Sequence, residues 1–153
     1  AGAYGMGRGA DADALCDGVG DVEDLTDHLG QQVARDAGEE DDGTRYKPVA
    51  EVNGENAAQI MIMAGCDLSE DPLFPDWREN LHLALRLQQK GDLLYPGLFR
   101  PLFFAQRNYN MHATHGSLLV EVGTEVNTQR EADYAGELLG ETILAVLNDI
   151  AEE

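Results

Sequence analysis

Glu121 stands inside the apolar run LLVEVG (residues 118–123) and is followed at once by Gly123, Glu125 and Asn127. A carboxylate in an apolar strand is seldom left without a partner or a task, because burying it unpaired is costly. Two readings fit: a carboxylate with a functional role, or a structural carboxylate paired with Arg100 or Arg107. In open α/β sheets the carboxyl ends of the strands face the ligand crevice, and the run puts Glu121 near such an end.

His112 and His115 are spaced by three, with Glu121 and Glu125 nearby. Zinc takes three or four ligands, usually fixed by rigid elements, whereas MHATHG reads as a loop. Surface or hydrogen-bonding histidines are therefore the competing reading. His82, on a helix, and His28, in an acidic segment, read as solvent-facing. Arg107, Asn108, Tyr109 and Asn110 bring together a guanidinium, two amides and a phenol. They line a cleft for a sugar or peptide, or they form a well-bonded turn between two strands, and the sequence leaves both open. The run GMGRG (residues 5–9) lacks both the preceding strand and the GK[ST] of a phosphate-cradling loop. Cys16 and Cys66 lie far apart with no CxxC pairing, which predicts two free thiols, Cys66 buried at a strand end.

The elements that must position these groups begin near Tyr46. Val49 and Val52 lead into the turn Asn53-Gly54, and the run AAQIMIMAG (residues 57–65) is short, β-compatible and continuously apolar, as in a strand buried on both faces. Residues 69–75 form a loop with two prolines. Asp76 is placed as an N-cap with Glu79 at the capping-box position. The spacing predicts a helix from there to about Lys90, stopped by Gly91, with Trp77, Leu81, Leu85 and Leu87 as its buried face. Residues 98–105 and 117–122 read as further strands. A last helix starts near Gln129 and carries Ala132, Ala135, Leu138, Leu139, Ile143 and Val146 at helical spacing. Strand, helix, strand, strand, helix indicates an α/β fold, a largely buried sheet flanked by helices. Ahead of it, residues 1–20 read as loop or disorder. Residues 21–34 read as a short amphipathic helix through Val22, Leu25, Leu29 and Val33, and residues 36–44 as a surface loop.

A chain of 153 residues suits one domain, and 43% apolar content suffices for a core if most of the chain takes part. The formal charge of −19 argues against nucleic acid and anionic membranes as partners, because both are held by clustered Lys and Arg. Residues 1–43 carry 12 acids against Arg8 and Arg35, so the first third is the more acidic part. No stretch approaches the ~18–20 continuous apolar residues of a membrane span, and no signal peptide is visible. The chain starts at Ala1 without Met, which fits a fragment or processed product.

Four segments taken together resemble one family: GENAAQIMIMAG, PDWRENLHLALRLQ, LYPGLFRPLFFAQRNYNM and GSLLVEVGTEVNTQREADYAGELLGE. They are similar, in order and over about two thirds of the chain, to the stage II sporulation protein P amidases. These are zinc-dependent N-acetylmuramoyl-L-alanine amidases that cut the peptide stem from the glycan during spore engulfment. The resemblance implies an amidase-like α/β domain over residues 35–153, apparently truncated at its N-terminus, after a non-matching segment 1–34. It implies that Glu121, matching the family's VEVG glutamate, is the catalytic carboxylate, with Glu125 and Asn127 in supporting or structural positions. Arg107, Asn108, Tyr109 and Asn110 become the expected substrate contacts. Peptidoglycan becomes the expected partner, with other engulfment proteins, and an extracytoplasmic, membrane-anchored place in a spore-forming bacterium is implied for intact members. The family's zinc is held by two histidines and a glutamate. Its His-Thr-His motif is absent from residues 1–43, and its HRDA motif reads Ala34-Arg35-Asp36-Ala37 here. No zinc ligand carries over, and the chain as it stands is expected not to hold zinc or to cleave. A wall-binding or partner-binding module without catalysis is the alternative.

Overall fold

The computed structural model describes residues 45–67, 73–74 and 76–152. The expectations for residues 1–44, Cys16 and His28 among them, and for most of the two-proline loop lie outside the described residues.

Strands β1 (Val49–Val52) and β2 (Glu55–Ala58) form an antiparallel hairpin with Val52 opposite Glu55. Asn53 (φ 53) and Gly54 (φ 81) both occupy the left-handed region that a two-residue turn of this hand requires. The apolar run at residues 57–65, expected as one strand, is divided at Gln59. The Gln59 N–H still donates to Pro48 O (3.1 Å) beside β1, but its carbonyl already accepts the Gly123 N–H (2.8 Å). One residue thus ends the hairpin and opens a second sheet, and its amide side chain finds polar partners in Gly97 O and the Tyr46 hydroxyl.

That second sheet has the order β4 (Phe103–Ala105), β3 (Ile60–Gly65), β5 (Leu119–Val122), with β4 parallel and β5 antiparallel to β3. The expected strand over residues 98–105 is interrupted too. Phe99 bridges to Ile60, and pairing resumes at Phe103 opposite Met63. Three steps along β3 face four along its neighbour, so one residue is extra. Pro101 lies in that bulge, where its missing N–H costs the ladder nothing.

Helix α1 (Trp77–Leu94) covers the sheet face that carries Phe104, with the Trp77 and Phe104 rings 5.6 Å apart. Trp77, Leu81, Leu85 and Leu87 are buried as the spacing predicts, joined by Asn80, Ala84, Gln88 and Gly91. Two expectations fail here. Asp76 is the N-cap residue but makes no side-chain cap, because its carboxylate turns to His115 instead. Gly91 does not stop the helix; it lies inside it, and a Cβ there would overlap the Phe99 ring. The glycine serves close packing, not termination.

Helix α2 (Gln129–Glu152) packs against β2 and α1. Its buried residues are Glu131, Ala135, Leu138, Thr142 and Val146, while Leu139 is half-buried and Ile143 is exposed. The core stripe is therefore rotated from the expected one. Thr142 can enter it because its hydroxyl donates to Leu138 O (2.9 Å), which satisfies its only donor.

This placement sets an expected order of stabilities. Leu138→Ala should cost ~2–5 kcal/mol in urea unfolding, as a fully buried truncation does, and Ile143→Ala under ~0.5 kcal/mol. Equal losses would show that α2 has been rotated wrongly.

Candidate functional site

The segment between β4 and β5 is a built loop. Met111 plugs it into the core (2% exposed), and the Gly65 N–H donates to its Sδ at 3.2 Å. Asn80 of α1, fully buried, reaches the loop with both ends of its amide. Its Nδ2 donates to Met111 O (2.7 Å) and its Oδ1 accepts the Gly116 N–H (2.6 Å). Backbone bonds from Met111 to Asn108 O (2.7 Å) and from Ala113 to Asn110 O (3.0 Å) close the turn between. Sequence reasoning missed both anchors, since a helix Asn and a loop Met carry no local signal of partners 31 to 46 residues away.

At the crest, Arg107, Asn108, Tyr109 and Asn110 are all exposed. Tyr109 (φ 42) and Asn110 (φ 63) are both left-handed, a conformation that costs a non-glycine residue energy and is held here by the anchors beneath. The stretch is a well-bonded turn between β4 and β5 whose side chains face outward. The two loop histidines part company. His112 Nδ1 meets Asn108 Oδ1 at 2.6 Å, and His115 Nε2 meets Asp76 Oδ2 at 3.2 Å, both on the surface. His82 is half-buried and has an interaction partner.

Glu121 lies opposite Met61 on β5, an edge strand of its sheet. Directly opposed residues share a face. Met61 and Met63 alternate with Ile62 and Ala64, and Ala64 opposes Phe104, so Glu121 lies on the face away from α1. Its side chain is exposed, so the burial that made it anomalous in sequence is absent. Neither Arg100 nor Arg107 pairs with it: Arg100 is buried with its guanidinium 5.6 Å from the Tyr46 ring centre, and the Arg107 guanidinium donates to Gln106 O.

The crevice expectation is corrected by strand direction. Because β5 runs antiparallel, its carboxyl end lies at the amino end of β3, whereas the loop at residues 107–110 follows β4 at the carboxyl end of β3. Met61 and Gly65 mark the two ends, and four strand residues separate them by ~13 Å. The structure thus places the expected carboxylate and the expected binding loop at opposite ends of one sheet.

The residues after Glu121 are joinery. Asn127 Oδ1 accepts the Thr124 N–H (2.8 Å), and its Nδ2 donates to Pro48 O (2.9 Å); the Thr124 hydroxyl donates to Tyr46 O (2.9 Å). Thr128 and Glu131 form a reciprocal capping box at the head of α2, at 3.3 and 2.8 Å. Glu131 also pairs with Lys47 at 2.8 Å. The Lys47 ammonium, followed by the Thr128 N–H, holds the Glu131 carboxyl down at about 2. The T-x-x-E spacing was the sequence signal for this box. Glu125 has no such role and is exposed.

Cys66, next to the end of β3, is buried and free as expected, and burial, with Asp67 adding to it, pushes its thiol up to about 11. Among the described residues, no three His, Cys, Asp or Glu side chains gather to hold a metal ion. They do not furnish the ligand set that a zinc amidase needs. Among the same residues no helix is long and apolar enough to cross a membrane.

A sequence model of the family described as Stage II sporulation protein P matches residues 32–144. No curated protein and no solved structure matches the chain.

The Glu131 pairing has a signed consequence. A carboxyl lowered from 4.5 to about 2 by folding stabilises the native state above pH 4.5, and this stability is lost as pH falls toward 2. Glu131→Gln should lower stability at neutral pH and flatten the acid limb across that window in urea unfolding. Identical acid limbs for the two proteins would overturn this assignment.

Proposed function

The chain belongs to the stage II sporulation protein P family, which gives it a role in sporulation, and from that premise we propose that it acts on peptidoglycan. The reaction is hydrolysis of the amide between N-acetylmuramic acid and L-alanine. Glu121 is its carboxylate, and the loop carrying Arg107, Asn108, Tyr109 and Asn110 is its substrate contact. The observation that carries this reading is the pairing of an exposed carboxylate on a rigid strand with an exposed, anchored loop on the same sheet. The two are ~13 Å apart along β3 alone, and β5 and β4 flank β3 on opposite edges, so a stem of about five or more extended residues crossing the sheet would reach both.

Each group has a task suited to its chemistry. Arg107 matches a stem carboxylate, because its planar fork pairs with carboxylates bidentately. Asn110 and the Nδ2 of Asn108 suit sugar hydroxyls and peptide amides, and the exposed Tyr109 ring supplies apolar area at little entropic cost. Glu121 accepts the proton of the attacking water, which is the part of amide hydrolysis a carboxylate performs.

The family resemblance implies zinc as the group that acidifies that water. The described residues bring no ligand set for it together. A second reading, a module that binds the wall or a partner without cutting, is favoured by the distance between Glu121 and the loop. About one zinc per chain marks the hydrolase, and none marks the module.

The 153-residue chain should cosediment with peptidoglycan sacculi and release no stem peptides. Arg107→Ala with Tyr109→Ala should weaken cosedimentation at least ~10-fold, as loss of an anchor does. Unchanged binding would remove the loop from the site. Zinc-dependent release of stem peptides by the unaltered chain would overturn the expectation of inactivity. In a graft carrying the N-terminal part of a full-length relative ahead of Asp36, release is expected. Glu121→Gln should then lower its rate ~10²–10⁴-fold with zinc retained. An active Glu121→Gln graft would remove Glu121 as the base.

A further inference from the structure

Helix α2 is apolar on two sides and buried on one. Away from the stripe of Ala135, Leu138, Thr142 and Val146 that faces the core, the adjacent Ile143 and Leu144 are followed at three- and four-residue spacings by Leu147 and then Ile150. They remain 38%, 59%, 54% and 40% exposed. Gly136 and Gly140 continue this side toward the N-terminus, and a Cβ at either would meet nothing within 4 Å. A helix apolar all round is normally covered all round, and contiguous exposed apolar surface marks an interaction site. From Gly136 to Ala151 the strip extends for about 22 Å, four turns of a partner helix.

The charges around the strip select the occupant. Asp133, Glu137, Glu141 and Glu152, all on α2, run along one side of it. The nearby bases are already engaged: Arg130 with Glu55 (2.8 Å) and Lys90 with Asp149. Glu141 accepts a hydrogen bond from the Tyr95 hydroxyl, which fixes an acid beside the strip. A second copy would bring acid against acid in a chain of charge −19, and an anionic membrane would meet the same repulsion.

We propose that the outward side of α2 docks a basic amphipathic helix of a partner protein. The partner's apolar residues lie on Ile143, Leu144, Leu147 and Ile150, the glycines let its backbone approach closely, and its Lys or Arg heads reach the acids along one side. This surface is separate from Glu121 and the loop at residues 107–110, and it stands whether or not the peptidoglycan reading holds.

The test uses the whole chain and three synthetic helical peptides of about 20 residues. One has a Leu stripe with Lys elsewhere, one has Ser in place of Leu at the same charge, and one has Glu in place of Lys. The Leu/Lys peptide should bind at least ~10-fold more tightly than either of the others in fluorescence anisotropy, and weaken as salt rises from about 0.05 to 0.5 M. Leu144→Glu and Leu147→Glu, the two most exposed positions of the strip, should each lower that affinity at least ~10-fold with the thermal melt unchanged. Equal binding of the Leu/Lys and Ser/Lys peptides, or binding indifferent to both substitutions, would reduce the effect to bulk charge and overturn the proposal. Concentration-dependent dimerisation abolished by the same substitutions would assign the surface to a second copy and overturn it equally.

Discussion

Strand β3 is buried over all six of its residues, and a strand closed off from water on both faces must have its N–H and C=O groups paired along both edges. The arrangement of this molecule follows from meeting that requirement. One edge is paired by a parallel segment that needs a connection long enough to bring it back, and α1 provides it. The other edge is paired by β5 in the opposite direction. Even the short reach before β4 is used: Ile60 exchanges backbone bonds with Leu98 and Arg100 at 2.9 and 2.7 Å, so pairing resumes on the far side of the Pro101 bulge without leaving β3 open. Because the two neighbours run in opposite directions, the loop after β4 and the carboxylate near the end of β5 emerge at opposite ends of β3.

Two buried polar clusters keep those ends in place. At one end Asn80 accepts from Gly116 and donates to Met111 O, so a single side chain sets the span of the loop relative to α1. The cost of burying an amide is offset because both of its ends are bonded. At the other end, Asn127 and Glu131 bind the entry to β1, the β5–α2 turn and the first turn of α2 together. The same residues that make the GTEVNTQRE stretch distinctive are largely occupied in this way. The Glu121 carboxylate is not part of this network and is exposed.

The proposed chemistry and the proposed docking surface occupy different parts of the fold. Glu121 and the anchored loop present polar groups, whereas the outward side of α2 presents aliphatic ones beside a row of acids. Polar recognition requires groups held on rigid supports, and β5 and the pinned loop provide them. The helix strip requires only a continuous apolar line, which a 24-residue helix supplies by its length.

The α/β class, the two helices, the buried face of α1 and the family could be read directly from the chain, whereas the division of the first apolar run into two strands could not. Hydrophobic period, Asn-Gly and the four co-linear segments are local signals, and local signals survive without coordinates. Strand direction could not be read: LLVEVG has the same pattern whether it runs parallel or antiparallel, so the end at which Glu121 emerges was decided by pairing with β3. The role of Gly91 was likewise open, since a helix stop and a close contact both require a residue without Cβ, and only the Phe99 ring distinguishes them. Leu139 and Ile143 fit a helical stripe as well as Thr142 does by spacing alone. The helix rotated to bury Thr142 because its hydroxyl can be satisfied within the helix, leaving a second apolar line outside. Asn80 and Met111 are of the same kind: their partners are distant in sequence, and their function as anchors exists only once the chain has brought α1 under the loop.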